Sequence, residues 1–204
     1  MGIFIVFAAG SGGFSARKIT MDEYIPASNQ KLSLLRSPTR LVDFHHATGN
    51  FVVQTPKVNR SEIADELSLV FGVPCAILQT SQVSACVSIA EKVSDPPVQP
   101  GIRWAKGIAF KVRGRPCTVD LKPTPRAQFF RISEYAVGVF KRDETAVNET
   151  LGESHAGGWG AISADISSAV GGIWTARPLT RVRGILGKAL KHEPTALSGI
   201  SAGK

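Results

Sequence analysis

Apolar and polar residues change period several times along the chain, and each period names an element. Residues 3–9 are an unbroken apolar run of strand length, the pattern of a central strand covered on both faces. Gly10, Gly12 and Gly13 end it. Thr20 and Glu23 have capping-box spacing and open a first helix. Pro26 removes a donor and crowds the preceding turn, so the spacing predicts a broken or late helix ending near Arg36. Residues 41–46 and 50–54 read as two strands folded back at Thr48-Gly49-Asn50. Phe51 and Val53 alternate with Val52 and Gln54, as in a half-buried strand. Gly49 and Asn50 tolerate the positive φ that a tight turn needs. Asn59 and Glu62 then cap a helix whose Ile63, Leu67, Val70 and Phe71 share one face, with Gly72 as its stop. Residues 75–79 are a fourth strand, and a helix from Ser81 to about Glu91 follows.

The order strand, helix, hairpin, helix, strand is the split βαβ, or ferredoxin-like, arrangement and sets an α+β class for residues 1–92. Pro96, Pro97 and Pro100 mark 93–103 as a linker. Residues 104–192 read as a related α+β half. Strands are expected at 105–112, 117–121 after a turn at 113–116, 129–132 and 135–140, with a helix at 143–151 and a loop at 157–160. Residues 161–173 give no period that separates helix from strand. Pro178 opens a last helix, with Leu179, Val182, Leu186 and Leu190 on one face. Gly184 and Gly187 each weaken it by about 1 kcal/mol relative to Ala. Residues 193–204 form a frayed tail.

At 204 residues the chain has room for one domain or two small ones. Its 43% hydrophobic and 20% charged content excludes a disordered chain. No apolar run approaches the roughly 18–20 residues that span a bilayer. Residues 2–9 lack the basic flank of a signal peptide, so the expectation is a cytoplasmic protein with no membrane contact. Cys75, Cys86 and Cys117 are odd in number and fit no metal spacing, so buried free thiols are expected. The net charge of +8 lies wholly in the second half. Residues 1–100 hold 8 Lys and Arg against 8 Asp and Glu, and residues 101–204 hold 16 against 8. Such a half either attracts phosphates and acidic partners or serves as a solubilising surface.

Gly10, Gly12 and Gly13, with Ser15 in the last position, nearly complete a GxGxxG. A dinucleotide site needs a βαβ unit and an acid about 20 residues on. Here a hairpin follows and Asp43 comes too late, and no Gly-Lys-Ser/Thr completes a P-loop. The loop is a flexible connection, or an anion site using its amides with Arg17 and Lys18. His45 and His46 point to opposite faces of a strand and do not share an ion. No metal or cofactor is expected. Arg113 and Arg115 flank a turn, and Arg177, Arg181 and Arg183 cluster at the last helix. With Phe129, Phe130 and Tyr135 they offer a basic, aromatic surface for a single-stranded nucleic acid, or a solvated face over core aromatics. The aromatic-rich run of an RRM is absent, since the third strand offers only Phe51. No GxSxG and no paired carboxylates stand out, so no catalytic residue is assigned.

Several of these pieces resemble the uncharacterised family called domain of unknown function 1697. Its members begin with an apolar strand, a glycine-containing loop, then a basic residue, Ile, a small residue and Met. Lys18-Ile19-Thr20-Met21 is similar to that opening. Thr48-Gly49-Asn50-Phe51-Val52-Val53 looks like the family's Ser-Gly-Asn-Val-Val-Phe, and Trp174-Thr175-Ala176-Arg177 looks like its Thr-x-Arg motif. The family has Arg and Asn in its first loop where this chain has Ala9 and Gly12, and Asn-Trp where this chain has Pro178-Leu179. The resemblance implies two ferredoxin-like halves and brings no agreed biochemical role.

Together these readings point to a non-catalytic binding protein whose basic second half engages an anionic ligand, nucleic acid included. Its candidate contacts are Gly10, Gly12, Gly13, Arg17, Lys18, Asn50, Arg113, Arg115, Arg177 and Arg181. One alternative is a small-molecule enzyme with a site between the halves, where the glycine loop, Asn50 and Arg177 converge. Another is a homo-oligomer paired through sheet edges.

Overall fold

The protein was analysed as a computed structural model, which describes residues 1–9, 21–45, 49–97, 102–144 and 158–194. The first half runs β1 (Gly2–Ala8), α1 (Met21–Leu34), β2 (Arg40–Phe44), β3 (Asn50–Thr55), α2 (Arg60–Phe71), β4 (Cys75–Gln79) and α3 (Thr80–Lys92). The second runs β5 (Ile102–Arg113), β6 (Ala127–Ser133), β7 (Ala136–Glu144), α4 (Trp159–Val170), β8 (Ile173–Pro178) and α5 (Leu179–His192). The fold is α+β, with two antiparallel four-stranded sheets ordered β2-β3-β1-β4 and β6-β7-β5-β8. The second order repeats the first, strand for strand, and each half closes with a helix after its last strand. One element has no counterpart. Where α1 joins β1 to β2, residues 114–126 join β5 to β6 without a helix.

Strand alternation explains the layering. In β1, Ile3, Ile5 and Phe7 enter one apolar cluster and Phe4, Val6 and Ala8 enter another. The outer cluster is closed by Leu32 of α1 and Ile63 and Leu67 of α2. The inner one is central to the molecule, with Val83 and Val87 of α3, Val182 and Ile185 of α5, and Ile108 and Phe110 of β5. Helices α3 and α5 thus lie between the sheets, and the rings of Phe7 and Phe110 stack at 4.3 Å across the two halves. The far face of the second sheet, with Val137, Val139 and Trp174, is covered by Ile162 and Ile166 of α4.

Asn59 caps α2 by accepting from Ser61 N at 3.0 Å, and Gly72 ends it at φ 73°. β3 differs from the half-buried strand expected, because Phe51, Val52 and Val53 are all buried. It lies between two layers and needs apolar residues on both faces. Pro26 sits within α1 and does not break it. Its missing N–H removes one bond, and the residue is exposed. Residues 117–121 form no strand. Cys117 N bonds to Glu134 O at 2.9 Å, and Cys117 and Leu121 fill the outer core in place of a helix. Asp143 and Glu144 belong to β7 and do not start a helix; the rest of 143–151 lies outside the described residues. Trp159 and Gly160 begin α4 where a loop was expected. The buried face of α5 uses Ile185 and Ala189, while Leu190 is exposed.

Candidate functional site

The same alternation brings two polar residues face to face. Val52 points into the central layer, so Asn50, two positions earlier on β3, points there too. Trp174 and Ala176 of β8 face outwards, so Thr175 and Arg177 face inwards. Asn50 is wholly buried and Arg177 is 4% exposed. Arg177 Nε donates to Asn50 Oδ1 at 2.9 Å, and Nη2 donates to the carbonyl of Ala8 at 2.5 Å. Its Nη1 donates to Thr175 Oγ1 at 2.7 Å and to the carbonyl of Ala176 at 2.9 Å. One guanidinium therefore binds the ends of β1 and β3 in the first half to β8 in the second. Asn50 is not the positive-φ turn residue expected, a role that Gly49 takes at φ 74°.

Among the described residues every hydrogen-bond acceptor of Arg177 is neutral and no carboxylate pairs with it. Burying a cation without a counter-ion costs several kcal/mol. Burial, and then the positive charge of Arg181, push the Arg177 pKa down to about 10. Cys75, level with Ala8 at the start of β4, lies in the same field. Burial drives its thiol up to about 12 against the opposing pull of a Ser68 hydrogen bond and then of Arg113 and Arg177.

The remaining charge is organised across the seam. Arg113 pairs with Asp65 at 3.0 Å, Arg183 with Glu91 at 3.2 Å and Lys106 with Asp95 at 3.0 Å. Lys188 reaches Asp43 at 2.8 Å and lies 4.7 Å from the Phe44 ring centre, and His192 is 3.4 Å from Asp43. Gly184, one turn before Lys188, leaves the space that the His45 ring fills. Residues 184, 188 and 192 are one stripe of α5, and it clasps the end of β2. Part of the second half's excess charge therefore holds acids of the first half. Arg115, exposed on the coil after β5, and Arg181, half-buried on the first turn of α5, form no ion pair among the described residues. Beside the seam, a cleft of about 210 Å³ is lined by Arg60, Cys75, Lys111, Glu134 and Tyr135, among others, so it carries two cations and one acid.

Of the ten candidate residues, Asn50 and Arg177 meet, with Arg181 close enough to act on Arg177. Arg113 is engaged by Asp65, and Arg115 stands apart. Gly10, Gly12, Gly13, Arg17 and Lys18 lie outside the described residues, as does His46. The partners Ala8 and Thr175 were not foreseen. Thr175 follows from the alternation in Trp174–Arg177 once that segment is recognised as a strand, but a backbone carbonyl carries no sequence signal. Phe129, Phe130 and Tyr135 are half-buried and engaged in packing. The Phe130 ring covers Gly138, where an added Cβ would come within 2.0 Å of it, and is 5.0 Å from the Phe140 ring. Among the described residues no three of His, Cys, Asp or Glu gather to hold a metal, and no helix is long and apolar enough to cross a membrane.

No family model matches the chain, and no curated protein matches it. Among solved structures it is similar to conserved bacterial protein SP0830 from Streptococcus pneumoniae, with a TM-score of 0.55 and 14% identity. The match covers 92% of this chain and 98% of that one, and at this identity it speaks to the fold alone.

Proposed function

We propose that the chain is a non-catalytic binding protein of the cytosol that holds an anionic ligand at the junction of its halves. The observation carrying this reading is the buried Arg177, whose charge meets only neutral acceptors among the described residues. Arg181 adds a second cation beside it, and neither has a carboxylate among the described residues. A positive site of this kind concentrates anions, and low-dielectric walls strengthen its field. Arg177 is already bonded and supplies potential, while Arg181 and the cations along the cleft are available for contact. The resemblance to domain of unknown function 1697 adds a fold expectation and no ligand. A phosphorylated small molecule and a nucleic acid share the required chemistry. The half-buried aromatics offer less of a stacking platform than a single strand uses, which favours the small ligand.

The test is Asn50→Asp, which gives Arg177 an internal counter-ion with little change of shape. Binding of inorganic phosphate and of a labelled single-stranded oligonucleotide is measured by calorimetry and polarisation, from about 50 to 200 mM salt. Affinity that falls with salt, and falls severalfold further in the variant while the fold is retained, is expected. Absent binding, salt-insensitive binding or an unchanged variant overturns the reading.

A further inference from the structure

Two open sheets give four edge strands, β2, β4, β6 and β8. An open edge shows unpaired N–H and C=O groups to any strand that comes near, and this chain closes most of its own. On β2, Leu41 turns outward, and the Asn29 side chain of α1 takes its N–H at 2.7 Å and its C=O at 2.9 Å. The outward N–H of Phe44 is taken by Asp43 Oδ1 at 2.7 Å. On β8, the outward N–H groups of Trp174 and Ala176 donate to Ser167 and Ser163 of α4, at 3.1 and 2.8 Å, and Pro178 has none. On β6, Thr124 engages Ala127, and the coil at 117–121 flanks Phe129 and Arg131.

Strand β4 differs. Ala9 N donates to Pro74 O at 2.8 Å, so residues 74, 76 and 78 bond to β1, and residues 75, 77 and 79 turn outward. Gln82 takes the N–H of Gln79 at 3.1 Å. The outward backbone groups of Cys75 and Ile77 have no partner among the described residues, although these residues are only 2% and 8% exposed. Buried backbone groups are paired in the great majority of cases, so two neighbouring residues with both groups open point to a ligand. Both residues line the cleft of about 210 Å³, which is walled by Arg60 and Ala64 of α2 on one side and by Lys111 and Tyr135 of the second half on the other.

We propose that this cleft takes a short extended peptide, which adds a strand to β4 and sets a carboxylate against Lys111. Cys75 and Ile77 lie about 7 Å apart along the strand, so roughly three ligand residues span them and make four backbone hydrogen bonds. The walls admit a narrow segment. A second copy offers no such segment among its described strands, since its β2 and β8 are closed, its β6 is flanked, and its β4 lies in a cleft of the same shape. Charge selects among peptides. Arg60 and Lys111 outnumber Glu134 in the lining. Arg60 already donates to Gln82 at 2.8 Å, whereas Lys111 has no partner for its charge among the described residues. The inference goes beyond the anionic ligand proposed above. Both draw on cations of the cleft, but this one rests on the strand edge and not on Arg177.

The probe is a fluorescein-labelled Thr-Val-Thr-Val-Asp amide, compared with its Asn counterpart by polarisation. Methylation of one peptide nitrogen at a time should weaken binding about three- to tenfold at alternate amides and little at those between. A severalfold preference for Asp over Asn should vanish in Lys111→Ala, with unchanged circular dichroism. Hydrogen exchange at the Cys75 and Ile77 amides should slow when the peptide is bound. Losses spread evenly over the amides, unchanged exchange at Cys75 and Ile77, or no binding up to about 1 mM overturns the proposal. Inorganic phosphate separates the two readings. Peptide binding without phosphate binding leaves this proposal standing and removes the one above, and phosphate binding without peptide binding does the reverse.

Discussion

Removing the Asn50 carbonyl tests the seam most directly. Asn50→Ala leaves Arg177 Nε–H in a wholly buried place with no acceptor. A hydrogen bond to a charged group contributes about 1.5–3 kcal/mol, and truncation in a filled site adds about 1 kcal/mol. The loss expected is therefore about 2.5–4 kcal/mol, or roughly 5–16 °C in Tm for a chain of this length. Arg177→Met removes the donor and strands four acceptors, at about 2–4 kcal/mol after the relief of desolvation. The informative number is the coupling. With no guanidinium present, Asn50→Ala has only its truncation left to lose, so the double variant should fall short of additivity by about 1.5–3 kcal/mol. Urea unfolding followed by the fluorescence of the three tryptophans supplies all four free energies. A coupling below about 0.5 kcal/mol would mean that the 2.9 Å contact does not join the halves energetically, and the account of Arg177 would fail.

Two further tests concern other parts of the structure. A Cβ at Gly107 would sit 2.3 Å from the Trp159 ring and 2.5 Å from the carbonyl of Arg177, whereas one at Gly187 meets nothing within 4 Å. Gly107→Ala should therefore destabilise by about 1–3 kcal/mol, and Gly187→Ala should stabilise α5 by about 0.5–1 kcal/mol, read from thermal melts. Burial works to raise the Asp43 pKa, but hydrogen bonds from Lys188, Phe44 N and His192 outweigh it and hold it below the usual 3.8. A depressed carboxylate pKa stabilises the fold above the unfolded value, and that share is lost as pH falls through the folded value. Stability of the parent should thus drop more steeply below about pH 4 than that of Asp43→Asn, by about 1 kcal/mol in all. Parallel acid titration curves for the two proteins would remove the clasp from the argument.

The first half was legible because its signals are local. The cap at Asn59, the stop at Gly72 and the apolar run of β1 each depend on residues a few positions apart. β3 was misjudged on exposure because its second apolar face answers to α3 and α5, and nothing nearby announces a helix between two sheets. α4 was missed because its alanines and serines blur the 3.6 period; Ser163 bonds both Trp159 O and Ala176 N, a tertiary role hidden in a weak local pattern. Asn50 was expected to serve the turn, and Gly49 takes the positive φ there instead. The turn propensity of Asn50 is real, but the contact that holds it comes from Arg177, 127 residues away. The charge asymmetry was read correctly as a number, while its meaning needed Asp65, Glu91 and Asp43 in place opposite Arg113, Arg183 and Lys188.

The placing of α5 between the sheets has a consequence for synthesis. Ile3, Ile5 and Phe7, with the inner face of α3, are made early, yet part of their cover, Val182, Ile185 and Leu186, belongs to α5, the last described helix to emerge. At roughly 5–20 residues per second, the 100 residues from Lys92 to His192 take about 5–20 s to make. For that interval the nascent chain carries one sheet with an apolar face open to water. A ribosome-bound holdase, or a pause-free message through residues 93–192, would matter more to the yield of this protein than any single contact in the finished fold.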